Sequence, residues 1–259
     1  MRNFLIAVLL FVTSSVFAQQ HNSMRVVLPS RDFPTYSKFM HTFGFRTLDS
    51  LADICHLFDG YVNVTLMHLN EPQKIFLSLT ADRIAAIADS LSWLKDVNVF
   101  RRNDSSITQI DVKAPGGIML SIYPSPKFIK DPSSSGSNIT RGARAPWDRS
   151  FIEFSLRVPN IDSAITFWKL FGFNVTYKGN EPMPLARVSD GEFSIGLHQD
   201  PNTEPSLQYS SKNAIRQIAA IRKAGIEPIT TTQNKKGEAE TASFQAPEGL
   251  IFNIYQIHE

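Results

Sequence analysis

Only one of the 259 residues is a cysteine, Cys55, so no intramolecular disulfide can form and the fold must rest on its core. An excess of one charge is missing too. Lys and Arg number 26 against 24 Asp and Glu, and both signs are spread along the chain for a net charge of +2. No basic patch that would draw nucleic acid is evident, which excludes a nucleic-acid partner. The densest basic stretch, Arg141, Arg144 and Arg149, falls in a Ser/Pro-rich segment and reads as solvated linker. Local metal motifs are absent as well. The six histidines (21, 41, 56, 68, 198 and 258) form no H-x-H or H-x-x-x-H pair, and none pairs with Cys55 in such a motif. Beyond the N-terminus no apolar run is long enough to cross a bilayer, so no stable membrane span is expected.

The N-terminal residues carry an export signature. Arg2 precedes nine apolar residues, Phe4 to Val12, and Val16-Phe17-Ala18 puts small residues where a signal peptidase reads. Nine residues reach only about 14 Å as a helix, too short for an anchor. The expectation is a cleaved signal peptide over 1–18 and a mature periplasmic or secreted protein starting at Gln19. Lone Cys55, with no base motif beside it, reads as a buried and inert thiol.

What is present is an internal repeat. MRVVLPSRDFPTYSKFMHTFGF from Met24 resembles FSLRVPNIDSAITFWKLFGF from Phe154, each being a short strand, a turn with Pro29 or Pro159, an amphipathic helix and Phe-Gly-Phe. Asp59-Gly60 matches Asp190-Gly191, and KAPGGIMLSIYP from Lys113 matches QAPEGLIFNIYQ from Gln245. The offsets at Phe43/Phe171, Asp59/Asp190 and Ala114/Ala246 are 128, 131 and 132, a steadiness that marks a repeat. The reading is α+β, with a first module over 19–123, a linker over 124–149 and a second module over 150–259. In the second copy helices are expected near 163–170, capped by Asp162, and near 213–224. The first copy's second helix is expected near 82–94.

Alternation assigns the strand faces. Ile152, Phe154, Leu156 and Val158 should meet the helices, leaving Glu153, Ser155 and Arg157 on the polar face. Near the C-terminus Phe252 and Ile254 should turn inward, with Asn253 and Tyr255 outward. By the same phase His198 joins Ser194 and Gly196. Glu153, Arg157, His198, Asn253 and Tyr255 are therefore the candidate ligand-binding wall. A second reading stands beside it, in which Glu153 and Arg157 are a structural pair. Glu153 is also the one weak candidate for a catalytic base.

The order of elements, most specifically FWKLFGF at 167–173 and APEGLIFNIYQI at 246–257, resembles the glyoxalase/bleomycin-resistance/dioxygenase (vicinal-oxygen-chelate) superfamily over nearly the whole mature chain. The resemblance implies two tandem βαβββ-type modules, with cupped mixed sheets and helices on their outer faces. It also implies metal-ligand positions, which fall on Glu153, Ser206 and Asn253 in the second module and on Ser23, Lys74 and Ser121 in the first. A further carboxylate position falls on Gly196 and Thr65. Only Glu153 is a good ligand, so no metal and no other cofactor are expected. The function expected is metal-independent binding or sequestration of a small organic molecule, in a monomer or a homodimer. The alternative is a lyase, isomerase or dioxygenase of the same superfamily with displaced ligands.

Overall fold

The computed structural model describes residues 23–69, 74–125, 148–180 and 182–258. The export signature at 1–18, and the Ser/Pro-rich stretch apart from its ends, lie outside them. The first repeat runs β1 (Ser23–Ser30), α1 (Phe33–Thr42), β2 (Arg46–Ser50), β3 (Ile54–Phe58), β4 (Asn63–His68), β5 (Phe76–Ala81), α2 (Ile84–Leu91), β6 (Val97–Arg101), β7 (Ile107–Lys113) and β8 (Met119–Pro124). The second runs β9 (Arg149–Arg157), α3 (Ile161–Lys169), β10 (Asn174–Gly179), β11 (Leu185–Ser189), β12 (Ser194–His198), β13 (Ser206–Ser211), α4 (Ala214–Lys223), β14 (Thr230–Gln233), β15 (Ala239–Gln245) and β16 (Ile251–Gln256). Each repeat is thus two successive βαβββ runs. Their eight-stranded sheets have the same order, β2-β3-β4-β1-β5-β8-β7-β6 and β10-β11-β12-β9-β13-β16-β15-β14. Both are mixed: β1 with β4 and β13 with β16 are parallel, while the hairpin pairs are antiparallel. This is an α+β fold of two like modules.

Contacts group these elements into two compact units that cut across the repeats. One unit holds 77–125 with 156–203; the other holds 25–76 with the second repeat's 148–155 and 204–258. Helix faces explain the second grouping. Phe39 and Phe43 of α1 pack on Phe252 of β16, with ring centroids 5.4 and 4.7 Å apart, and Phe43 meets Phe244 of β15 at 5.3 Å. The first helix of one repeat therefore covers the closing strands of the other. Phe252 and Ile254 are fully buried, as their alternation required.

In the other unit the core is aromatic. Trp168 is fully buried and meets Phe167, Phe171 and Phe173 at 5.3, 6.2 and 5.5 Å. The cap of α3 is Asn160, whose Oδ1 accepts from Ser163 N at 2.8 Å, and not Asp162. Asp162 sits inside the first turn, where a carboxylate favours the helix dipole, and pairs with Lys178 at 2.7 Å. Gly172 ends the turn after α3 at φ 86°, matching Gly44 after α1 at 84°.

Strand β9 departs from the expected alternation. Its register with β13 pairs Glu153 with Gln208 but Phe151 with Tyr209, so Ile152 is an extra, bulged residue. The bulge reverses the phase of everything before it. Phe151, not Ile152, joins Phe154 on the core side and meets the Tyr209 ring at 5.7 Å. Arg149 is carried to the same side and is only 3% exposed. It is a core residue of β9, not part of a solvated basic segment.

Candidate functional site

The bulge also isolates a polar floor in the unit that contains β13–β16. Glu153 on β9, Gln208 on β13, Asn253 on β16 and Ser243 on β15 occupy one register row across four adjacent strands. Two residues along, Ser155 faces Ser206 and Tyr255 faces Ser210 and Thr241. The opposite faces of the same strands carry Phe154, Leu207, Tyr209, Phe252 and Ile254, all fully buried. The alternation therefore has a driving force: a one-residue slip would exchange an apolar core for this polar row.

Hydrogen bonds orient the floor. Tyr255 donates its phenol to Gln208 Oε1 at 2.6 Å, Gln208 Nε2 donates to Ser206 Oγ at 2.8 Å, and Ser206 Oγ donates to the Glu204 carbonyl at 3.1 Å. Ser155 donates to Glu153 Oε1 at 2.9 Å. The relay fixes which end of the Gln208 amide faces Tyr255. Burial, and then the nearby Glu153 charge, push the Tyr255 phenol up from its ordinary pKa, which keeps it a donor at neutral pH. Glu153 is 4% exposed and Tyr255 39%, so the row runs from a buried carboxylate toward a rim that solvent reaches.

Glu153, Asn253 and Tyr255 are thus on one face of neighbouring strands in one unit. Arg157 and His198 belong to the other unit, where Arg157 is exposed and His198 half-buried, and where the His198 carbonyl accepts Val158 N at 2.8 Å. Gln208 was missed in the sequence. Its signal was the alternation of Ser206, Gln208 and Ser210 against Leu207 and Tyr209, the same pattern that singled out Asn253.

The superfamily's ligand positions can be tested on this geometry. Glu153, Ser206 and Asn253 lie on three adjacent strands, β9, β13 and β16. One carboxylate with a hydroxyl and an amide does not fit zinc, iron or nickel, which favour imidazole and thiolate. In the first repeat Lys74 is exposed, Ser121 is 4% exposed, and Ser23 begins β1. Among the described residues no group of three or more His, Cys, Asp or Glu is placed to hold a metal ion. Nor is any helix among them long and apolar enough to cross a membrane.

No protein-family model matches the sequence, and no curated protein matches it. Solved structures do match the fold. Catechol 2,3-dioxygenase superposes with a TM-score of 0.57 at 13% identity, over 91% of this chain and 87% of that one. An extradiol ring-cleaving dioxygenase from B. fuscum gives 0.56 at 13% identity, over 91% of this chain and 71% of its own. A variant of homoprotocatechuate 2,3-dioxygenase from B. fuscum gives 0.57 at 13%, over 90% and 70%. The chain shares a two-module α+β fold with these dioxygenases. At this identity the likeness is one of fold.

Proposed function

We propose that the chain binds a small organic molecule on the Glu153–Gln208–Asn253 floor without a transition metal, and that it does so after export. The observation that supports this reading is the polar row itself: Glu153, Gln208 and Asn253 share one face of adjacent strands and offer one carboxylate among neutral groups. Such a row suits hydrogen-bonded recognition. Glu153 accepts from a donor on the ligand, Asn253 can do both, and the Tyr255 ring supplies an apolar wall at the rim. Arg157 and His198 are kept as candidate contacts in their own unit. The export reading rests on the sequence signature alone, and mass spectrometry of the exported protein should find Gln19 as its first residue.

A melting-temperature screen with small phenols, amines and organic acids tests the binding reading. A ligand at about one hundred times its Kd adds roughly 2.7 kcal/mol of stability. At least one compound should raise the melting temperature of the wild type and fail to do so in Glu153→Gln. If no compound shifts the midpoint, or every shift survives in Glu153→Gln, the floor is not the binding site.

The rival reading is a dioxygenase-like, lyase or isomerase activity with displaced ligands. It draws on the ring-cleaving enzymes among the structural neighbours, and it requires a metal that this donor set does not favour.

A further inference from the structure

The two amides of the Glu153 floor are not equivalent. Gln208 is used at both ends: its Oε1 accepts the Tyr255 phenol at 2.6 Å, and its Nε2 donates to Ser206 Oγ at 2.8 Å. It is held in one orientation, as a fixed spacer between its register partners Glu153 on β9 and Asn253 on β16. Asn253 differs. It is half-buried, and among the described residues no hydrogen bond takes its side-chain amide. Its other neighbour in the row, Ser243 on β15, is half-buried as well.

A side-chain amide presents a donor and an acceptor side by side. A ligand uses both only if it carries an N–H beside a carbonyl, the edge of an amide. An anion would leave the Asn253 carbonyl unmatched and would meet the Glu153 carboxylate. An ammonium only donates, so it would leave the Asn253 N–H groups unmatched. A polar group that a ligand covers without pairing costs affinity. A carboxylate accepts and cannot donate, so the far edge of the same ligand must bring Glu153 a second N–H. Glu153 and Asn253 are two strands apart, about 9.5 Å at the backbone. One six-membered ring with a hydrogen bond at each edge bridges such a span.

We infer that the floor takes a neutral cyclic ureide or amide, a ring of the uracil type with an N–H/C=O edge on Asn253 and a second N–H on Glu153. The inference rests on the reading of this floor as a binding site and adds the ligand class. Asn253 and Ser243 are the half-buried end of the row, so the ring enters from their side and meets the buried carboxylate with its inner edge. Ser155 donates to Glu153 Oε1 at 2.9 Å and holds that carboxylate in place.

The test is isothermal titration of the full chain with uracil, dimethyluracil, benzoate and benzylamine. Uracil should bind saturably. Dimethyluracil, in which both ring N–H groups are methylated, keeps the ring and its carbonyls and should bind about tenfold more weakly or worse. That comparison needs no variant. Asn253→Asp, which replaces a donor with an acceptor, should weaken uracil by a similar factor, and Glu153→Gln should weaken it as well. The inference is overturned if uracil does not bind, if dimethyluracil binds as tightly, or if Asn253→Asp binds uracil as the wild type does. Benzoate or benzylamine binding that uracil does not match, and that Glu153→Gln abolishes, keeps the floor as a binding site and removes only this ligand class. No Glu153-dependent binding by any of the four, or by any compound of the melting-temperature screen, removes the floor reading itself.

Discussion

Asp59, in a turn of the first repeat, and Arg149, on the first strand of the second, form a salt bridge of 2.8 Å in which neither side chain is exposed. Asp59 Oδ1 accepts the backbone N–H groups of Tyr61 and Val62 at 2.9 and 2.7 Å, while Oδ2 takes Arg149 and the Tyr209 phenol at 2.8 and 2.7 Å. The guanidinium carbon lies 4.0 Å from the Tyr209 ring centre and 5.9 Å from that of Phe45. Arg149 Nε and Nη1 have no hydrogen-bond partner, so ring faces and one carboxylate carry the charge. Burial, and then Asp59, push the Tyr209 phenol well above its ordinary pKa, leaving it a permanent donor.

Asp59→Asn keeps an acceptor for Tyr61 and Val62 but strands the buried cation. It should cost about 3–5 kcal/mol in chemical denaturation. Tyr209→Phe keeps the ring under Arg149 and should cost roughly 1.5–3 kcal/mol, the value of a hydrogen bond to a charged group. Adding Arg149→Met to Asp59→Asn should restore part of the loss, because the stranded charge goes with it.

The same substitution at the repeat-equivalent position should act in the opposite direction. Asp190 Oδ1 accepts Glu192 N and Phe193 N at 2.9 and 2.8 Å, as Asp59 does for its own turn. Among the described residues no cation pairs with Asp190, and burial is the main cause that raises its pKa. A carboxyl whose folded pKa is raised contributes stability below its unfolded pKa and loses it as pH rises through the folded value. Asp190→Asn should therefore match the wild type in acid and be at least as stable at neutral pH. A clear loss of stability at pH 7 would contradict this.

Gly116, in the β7–β8 turn, should tolerate no side chain. It sits at φ 94°, and a Cβ there would lie 1.9 Å from the Arg157 carbonyl oxygen. Gly116→Ala must shift one strand end or the other and should cost about 3 kcal/mol or more. At Gly249, φ 97°, the nearest atom to a Cβ is 4.0 Å away. Gly249→Ala then carries only the left-handed penalty, about 1–2 kcal/mol. Thermal denaturation of the two variants side by side checks the ordering.

The pairing of Asp59 with Arg149 also marks where the sequence stopped being legible. The repeat, the α+β class and the inward faces of Phe252 and Ile254 followed from spacing and period, because burial of one strand face is a local pattern. Arg149 did not. Its burial depends on the extra residue Ile152, which resets the phase of β9 yet looks like one more alternating apolar position, and on a partner ninety positions away. Asp162 gave way to Asn160 as a cap because both are good capping residues two positions apart, and only the helix start decides between them. The covering of β16 by α1 is likewise a tertiary fact. Both segments read as apolar, and nothing in either names its partner.

At the floor, Tyr255→Phe removes the donor to Gln208 and frees that amide to turn. A ligand found in the melting-temperature screen should bind the variant less tightly by about five- to tenfold, as expected for one hydrogen bond. The fold should be nearly unaffected, since Tyr255 is at the exposed rim. Isothermal titration of the two proteins with the same compound measures the difference.

Metal analysis of the chain, purified without added metal or chelator, tests the central claim most directly. A floor that offers Glu153, Ser206 and Asn253 as its donors should carry zinc, iron, nickel and manganese at well below stoichiometry, and Glu153→Gln should leave that content unchanged. About one tightly held ion per chain, lost on changing Glu153 to Gln, would contradict the account and move the metal-dependent enzyme ahead of the binding protein.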